Sequence, residues 1–375
     1  MSTRLNRWGR FRGVRRTAFY LSGGLMTCAL ACAEVAPFSF SGPEVLKLDW
    51  STRALNVSDV NQDELSDLIV INNDTAQIEI LYQLAEDAPN TSGKTRLNRN
   101  RWEPPLEDAR FQSESITIGF PVFDLSVGDL NGDGFDDILV GVPEGPENSA
   151  VTGEAYVIFG SDQAFAPSID LATLSSGDGF RINGDSDYNK TSISLGQAGD
   201  INNDGIDDLI IGANGGSSDS KGTSYVVFGS ASDFGTSLDL GGLKASDGFQ
   251  IIGASSSGDI GRSVNGAGDV NGDGIDDIIV GGPGDGSSDR GVAYVIFGKN
   301  GGFGPSFDLD NLNGNNGFEL LGAIDNDMTG WSVDAAGDVN GDGIDDLIVG
   351  TVGKNAFVVF GSDQGFNQSF DIADL

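Results

Sequence analysis

A nine-residue sequence returns five times along this chain, and the spacing of its copies limits the fold more than any other feature. Its full form is Asp-x-Asn-x-Asp-Gly-x-Asp-Asp. It spans 129–137, 200–208, 269–277 and 338–346, with a degenerate copy, Asp-Val-Asn-Gln-Asp-Glu-Leu-Ser-Asp, at 59–67. Successive copies start 69 to 71 residues apart. A fixed period of this size indicates a repeat architecture.

Positions 1, 3, 5 and 9 carry carboxylates and an amide, the oxygen donors that a hard cation takes. One copy offers Asp129, Asn131, Asp133 and Asp137, with the Phe135 carbonyl as a further ligand, because alternate residues of a tight loop point inward. The same positions hold Asp200, Asn202, Asp204, Ile206 and Asp208, then Asp269, Asn271, Asp273, Ile275 and Asp277, then Asp338, Asn340, Asp342, Ile344 and Asp346. The degenerate copy keeps Asp59, Asn61, Asp63, Leu65 and Asp67, but Glu64 replaces the glycine. It is expected to bind more weakly. Calcium suits such loops better than magnesium, which prefers strict octahedral geometry and retained waters. About five calcium sites are therefore expected.

An EF-hand needs a bidentate Glu at position 12 and flanking helices. Position 12 here is Val140, Ile211, Val280 or Val349, and the flanks are β-branched. A dockerin-type loop fails on the same position. The competing reading is a plain hairpin turn, which Asn-Gly and Asp-Gly favour. Such a turn gives no reason for acids at positions 1, 5 and 9.

The formal charge is −35, and there is no histidine. So acidic a surface repels nucleic acid and anionic membranes. Residues 1–33 differ from the rest. Arg4, Arg7, Arg10, Arg12, Arg15 and Arg16 precede an apolar stretch from Thr17 to Ala31, and Ala31-Cys32-Ala33 is a small-residue cleavage site. This is the pattern of an export signal. Twin-arginine export at Arg15-Arg16 and lipid attachment at Cys32 are weaker readings of the same residues. The apolar run is too short for a membrane anchor, and no transmembrane segment is expected in the mature chain. Both cysteines, Cys28 and Cys32, fall in the signal, so no disulfide is expected after it. The chain is therefore expected outside the cytoplasm: secreted, or at the surface or in the periplasm of a bacterium.

From residue 34 onward the chain reads as a single repeat domain, 34–375, with units starting near 50, 122, 193, 262 and 331. A strand runs into each loop, and a β-branched strand such as Asp137-Ile-Leu-Val-Gly141 leaves it. A Gly-rich connection leads to a third strand ending in Phe-Gly: Phe159-Gly160, Phe228-Gly229, Phe297-Gly298 and Phe360-Gly361. A fourth strand follows at Gly179–Ile182, Gly248–Ile251 and Gly317–Leu320. No window shows a helical period. Four short strands per unit predict an all-β fold, a β-propeller of four-stranded blades with calcium-binding loops between strands. Tyr156 and Phe159 are expected between blades, and Trp331 in the core.

The loop, the Gly-rich turn and the Phe-Gly strand, recurring in one order over roughly residues 50–375, resemble the FG-GAP repeats of the integrin α-subunit N-terminal propeller and its bacterial relatives. The resemblance implies structural calcium between adjacent strands of each blade, at the rim away from the ligand-binding face. That family usually closes with seven blades, and five loops are present here. Either the sequence is cut short, or Glu44–Trp50 supplies a missing strand and closes a five-bladed ring. The first unit departs further: Leu81-Tyr82-Gln83 replaces Phe-Gly, and an irregular insertion at 86–107 carries Lys94, Arg96, Arg99 and Arg101 beside Trp102.

Catalysis has little support. Without histidine there is no Ser-His-Asp triad or His-ligated zinc, and the mature part has no thiol. Two carboxylates suffice for glycoside hydrolysis, but the conspicuous acids are assigned to calcium. The expectation is an exported adhesion or protein-binding module, not an enzyme, with a protein or glycan ligand on one propeller face. A surface glycan-binding protein is the alternative, and a calcium-dependent polysaccharide-active enzyme ranks below it.

Overall fold

The β-branched runs after each acidic loop become the second strands of five successive sheets. The computed structural model describes residues 52–84, 111–119, 121–143, 153–162, 165, 168–185, 191, 193–214, 222–253, 258–353 and 355–374. The expected export signal, Cys32, Glu44–Trp50 and the 86–107 insertion lie outside these residues.

The first unit supplies β1 (Thr52–Ser58), β2 (Asp67–Asn72), β3 (Gln77–Gln83) and β4 (Phe111–Thr117). The second supplies β5 (Asp124–Gly128), β6 (Asp137–Val142), β7 (Glu154–Ile158) and β8 (Gly179–Asn183). The third supplies β9 (Ser194–Gly199), β10 (Asp208–Ala213), β11 (Thr223–Val227), β12 (Ser237–Asp239) and β13 (Gly248–Ile252). The fourth supplies β14 (Val264–Gly268), β15 (Asp277–Gly282), β16 (Val292–Ile296), β17 (Ser306–Asp308) and β18 (Gly317–Leu321). The fifth supplies β19 (Ser332–Gly337), β20 (Asp346–Gly350), β21 (Ala356–Val359) and β22 (Ser369–Asp371). Within each sheet the long strands run antiparallel in chain order. First strands pack in series, β1 on β5, β5 on β9, β9 on β14 and β14 on β19. The architecture is a five-bladed, all-β propeller.

Blades differ from the expected four strands because units exchange a strand. Ser237–Asp239, Ser306–Asp308 and Ser369–Asp371 each pair in parallel with the outer strand of the preceding blade, β8, β13 and β18. A bridge between Thr117 and Ser168 does the same for blade one. Blades two to four thus have five strands, and blade five has three among the described residues. A single 3-10 turn follows each donated segment, beginning at Leu171, Leu240, Leu309 and Ile372. Asp239 and Asp308 cap two of these turns by accepting from the N–H groups of Gly241 and Asp310.

Alternate residues of a strand face opposite neighbours. Leu209, Ile211 and Tyr225 of blade three pack on Leu139, Val157 and Phe180 of blade two. Ile210, Val226 and Phe249 pack on Ile278, Val280 and Tyr294 of blade four. Both faces are buried, so these strands read as continuous apolar runs. Each such side chain contributes about 1.5–3 kcal/mol by burial. Tyr156 is buried between blades one and two, and Phe159 packs at the edge of the next core, as expected.

The Phe-Gly phenylalanine has a repeated partner. Phe159, Phe228 and Phe297 each lie 5.9 Å from the fourth-strand Phe180, Phe249 and Phe318. Phe234, Phe303 and Phe366 of the following unit stack on those same rings at 4.3–4.4 Å. The two ends of the series differ. Blade one turns polar Gln77, Glu79 and Ser115 away from blade two. Blade five leaves Ile348 at 38% and Phe360 at 56% exposure, whereas Phe297 stands at 7%.

Candidate metal centre

Each acidic loop joins the first strand of a blade to the second. Its first aspartate closes the turn. Asp129 accepts from the N–H groups of Asp133 at 3.1 Å and Gly134 at 2.9 Å. Asp59, Asp200, Asp269 and Asp338 accept from their own positions 5 and 6 at 2.8–3.0 Å. The position-5 aspartates, Asp63, Asp133, Asp204, Asp273 and Asp342, accept from the N–H of position 7, that is Leu65, Phe135, Ile206, Ile275 and Ile344. The amides of Asn131, Asn202, Asn271 and Asn340 reach toward the position-9 carboxylate at 3.4–3.5 Å. Asn61 instead meets Asp63 at 3.2 Å.

The position-9 aspartates, Asp67, Asp137, Asp208, Asp277 and Asp346, are buried. Each accepts from the backbone at the end of the third strand of its own blade. The donors are Gln83 at 2.8 Å, Gly160, Gly229 and Gly298 at 2.9 Å and Gly361 at 3.0 Å. This bond explains why the acidic loop and Phe-Gly travel together. A Cβ at Gly298 would collide with the Asp276 carbonyl oxygen, so the donor at that position approaches the loop as glycine. In the first unit Gln83 makes the same bond, although the motif there is lost.

The degenerate loop keeps the shape of the others. Glu64 has φ +66°, where the glycines of the other copies have +88° to +93°. A side chain in that left-handed region costs about 1–2 kcal/mol. Glu64→Gly is therefore expected to raise stability by up to about 1 kcal/mol after the added freedom of the unfolded chain is subtracted. An unchanged urea midpoint would count against strain at this turn.

Like charges crowd each loop. Burial pushes the carboxyls of Asp137, Asp208 and Asp277 up to about 8, and the neighbouring position-1 and position-5 carboxylates push the same way against opposing N–H bonds. Burial raises Asp67 to about 6. Oδ2 of Asp67 and of Asp208 is buried without a well-formed hydrogen bond, the Val60 and Asn202 N–H groups being near but poorly placed. Among the described residues no three acidic side chains already converge on one point, because the carboxylates of positions 1 and 5 are turned onto loop N–H groups. The donor set is nonetheless all oxygen, strongly negative and partly unsatisfied, which fits a hard cation.

The raised values fix a sign for metal-free protein. Between an unfolded value near 3.8 and a folded value near 8, the folded state holds protons that the unfolded chain has released. In EDTA, stability is expected to rise as pH is lowered from about 8 toward about 5. Saturating calcium is expected to flatten or invert that slope, since a bound ion keeps its carboxylates ionised. Urea titrations across this range with and without metal measure both slopes.

Position 8 had no assigned role in the sequence. The structure gives it one between blades. Asp276 accepts from the Asp200 N–H at 2.9 Å, and Asp345 from the Asp269 N–H at 3.1 Å, each reaching into the loop of the preceding blade. Asp207 accepts from the Asp129 backbone, and Asp136 from the Ser58 hydroxyl. Trp331, expected in the core, is 40% exposed, with the Arg262 guanidinium 4.2 Å from its ring centre. It precedes β19, and among the described residues no later blade covers it.

The family profile for the FG-GAP repeat matches residues 122–158, 194–227 and 329–360, three stretches that each include an acidic loop. The chain carries FG-GAP repeats. It is similar to integrin alpha pat-2 of Caenorhabditis elegans, 28% identical over 61% of this chain and 17% of that protein. It is similar to integrin alpha-5 of Xenopus laevis, 28% identical over 64% of this chain and 20% of that protein. Human integrin alpha-6 is 29% identical over 40% of this chain and 12% of its own length. The FG-GAP chain thus spans about a fifth or less of these relatives.

Proposed function

We propose that this FG-GAP propeller is an exported, calcium-stabilised adhesion or protein-binding module. The recurrence of one acidic loop in five blades, each bonded to its own third strand, carries the calcium reading. In each blade, positions 1, 3, 5 and 9 would hold the ion with side-chain oxygens and position 7 with its carbonyl. Bound calcium would neutralise the crowded carboxylates and lock the loop between two strands. Export rests on the basic, then apolar, pattern of residues 1–33. The binding role rests on the likeness to integrin alpha subunits, and fold alone does not fix a ligand. With neither histidine nor a thiol after the signal, catalysis is not part of the proposal.

The exposed Trp331 beside Arg262 favours a second reading, a glycan ligand, since an open aromatic face can stack on a sugar. Immobilised protein, presented in calcium and then in EDTA to a glycan array and to an extracellular protein fraction, separates the two. Calcium-dependent capture of a protein supports the adhesion reading. Signal confined to glycans moves the function to carbohydrate binding, and no metal-dependent ligand of either kind overturns both.

A further inference from the structure

We infer that the position-8 aspartates of blades three to five, Asp207, Asp276 and Asp345, are positioning residues for the calcium loop of the blade before each, so that these metal sites are coupled in series. The inference rests on the calcium reading above and adds a residue which that reading did not use.

Two contacts hold each inner loop from the following blade. The first is the position-8 carboxylate. Asp276 takes the backbone N–H of Asp200, and Asp345 that of Asp269. Asp200 and Asp269 are the position-1 ligands of their own loops. The second is the residue after Phe-Gly. Ser230, Lys299 and Ser362 donate their N–H groups to the carbonyls of Leu130, Ile201 and Val270 at 2.8–2.9 Å. These acceptors are position 2 of the preceding loop. A ligand-bearing residue is thus fixed on its N–H, and its neighbour on its carbonyl, by a different blade.

The ends of the series agree. The first loop carries Ser66 at position 8, and among the described residues no earlier blade lies before it. At the other end, no later blade follows Asp338–Asp346 among the described residues. Position 2 is 0–2% exposed in the first four loops (Val60, Leu130, Ile201 and Val270), and its counterpart Val339 is 58% exposed. A Cβ on Gly268 would strike the Asp345 carboxylate, whereas the equivalent Gly337 has open space. The following blade, and not the loop's own sequence, supplies this support. Among the described residues, the Asp338–Asp346 loop therefore lacks both supports.

Partners that orient a metal ligand typically change affinity about 10–100-fold when removed. The test uses the full chain with Asp276→Ala, Asp276→Asn, Asp345→Ala and the ligand variant Asp204→Asn. Calcium is titrated by calorimetry, and exchange of the Asp200 and Asp269 amides is followed in EDTA. Asp276→Ala is expected to lose protection at Asp200 and to weaken by about 10-fold or more the same site that Asp204→Asn abolishes. Asp345→Ala, in the last blade, is expected to do this to Asp269 and its loop. Asp276→Asn keeps an oxygen acceptor and is expected to preserve both readouts. Unchanged exchange at Asp200, or weakening of the Asp269–Asp277 site by Asp276→Ala, overturns the coupling. Equal damage from Asn and Ala replaces the tie by a charge effect and overturns it too. A flat calcium titration of the unaltered chain overturns the calcium reading itself, a result distinct from all of these.

Discussion

Millimolar calcium is expected to raise the melting temperature of this chain by on the order of 10 °C over its value in EDTA, with a β-type spectrum in both. An ion present at about ten times its Kd adds about 1.4 kcal/mol per site by mass action. Five sites add several kcal/mol, a large share of the stability of an ordinary domain, and each kcal/mol moves the midpoint of a chain this long by about 1–2 °C. The physical source is local. Asp137, Asp208 and Asp277 are buried carboxyls pushed up to about 8 beside two further carboxylates. Circular dichroism melts in the two buffers decide the matter. Equal melting temperatures would reduce the loops to turns, because hydrogen bonds to backbone N–H groups already occupy positions 1, 5 and 9.

The second large effect separates the turn from the metal. Asp277 accepts from Gly298 at 2.9 Å and from Val270 at 3.0 Å, both buried. Asp277→Ala strands two N–H groups, at about 1–3 kcal/mol each, and is expected to lose about 2–6 kcal/mol even in EDTA. Asp273, in the same loop, is exposed and accepts only from Ile275 at 3.0 Å. Asp273→Asn keeps an acceptor and is expected to change stability in EDTA by less than about 0.5 kcal/mol, as surface substitutions do. In calcium it is expected to forfeit the contribution of one site. Urea unfolding of both variants in both buffers yields the four values. If Asp273→Asn behaves alike with and without metal, position 5 is not a ligand.

Much of this arrangement was legible before any coordinates. Acids at fixed offsets, a β-branched run after each loop and Phe-Gly at the end of the third strand are local signals, and each fell on the strand or loop expected of it. What escaped was the contact between units. Asp276 and Asp277 are the same residue type side by side, yet one serves the preceding blade and the other its own, which spacing does not reveal. Ser66, the departure at position 8, was the available clue. The donated strands are three residues long, too short for an alternating pattern. The linker rings Phe234, Phe303 and Phe366 lie in Gly-rich, turn-like sequence and read as loop. Trp331 looked like core because its neighbours are strand residues, but whether an aromatic at a blade's entrance is covered depends on the next blade.

The strand exchange bears on how the chain is made. Blade four gains its outer edge only when Ser369–Asp371 meets β18, a partner far behind it in the sequence. At synthesis rates of about 5–20 residues per second, each newly emerged blade waits several seconds with an unpaired edge before the next unit reaches back to cover it. Open edges invite pairing with other chains. A ribosome paused between a Phe-Gly and the following Ser-x-Asp would hold that edge open, and a truncation placed after the Asp would leave the blade behind it complete.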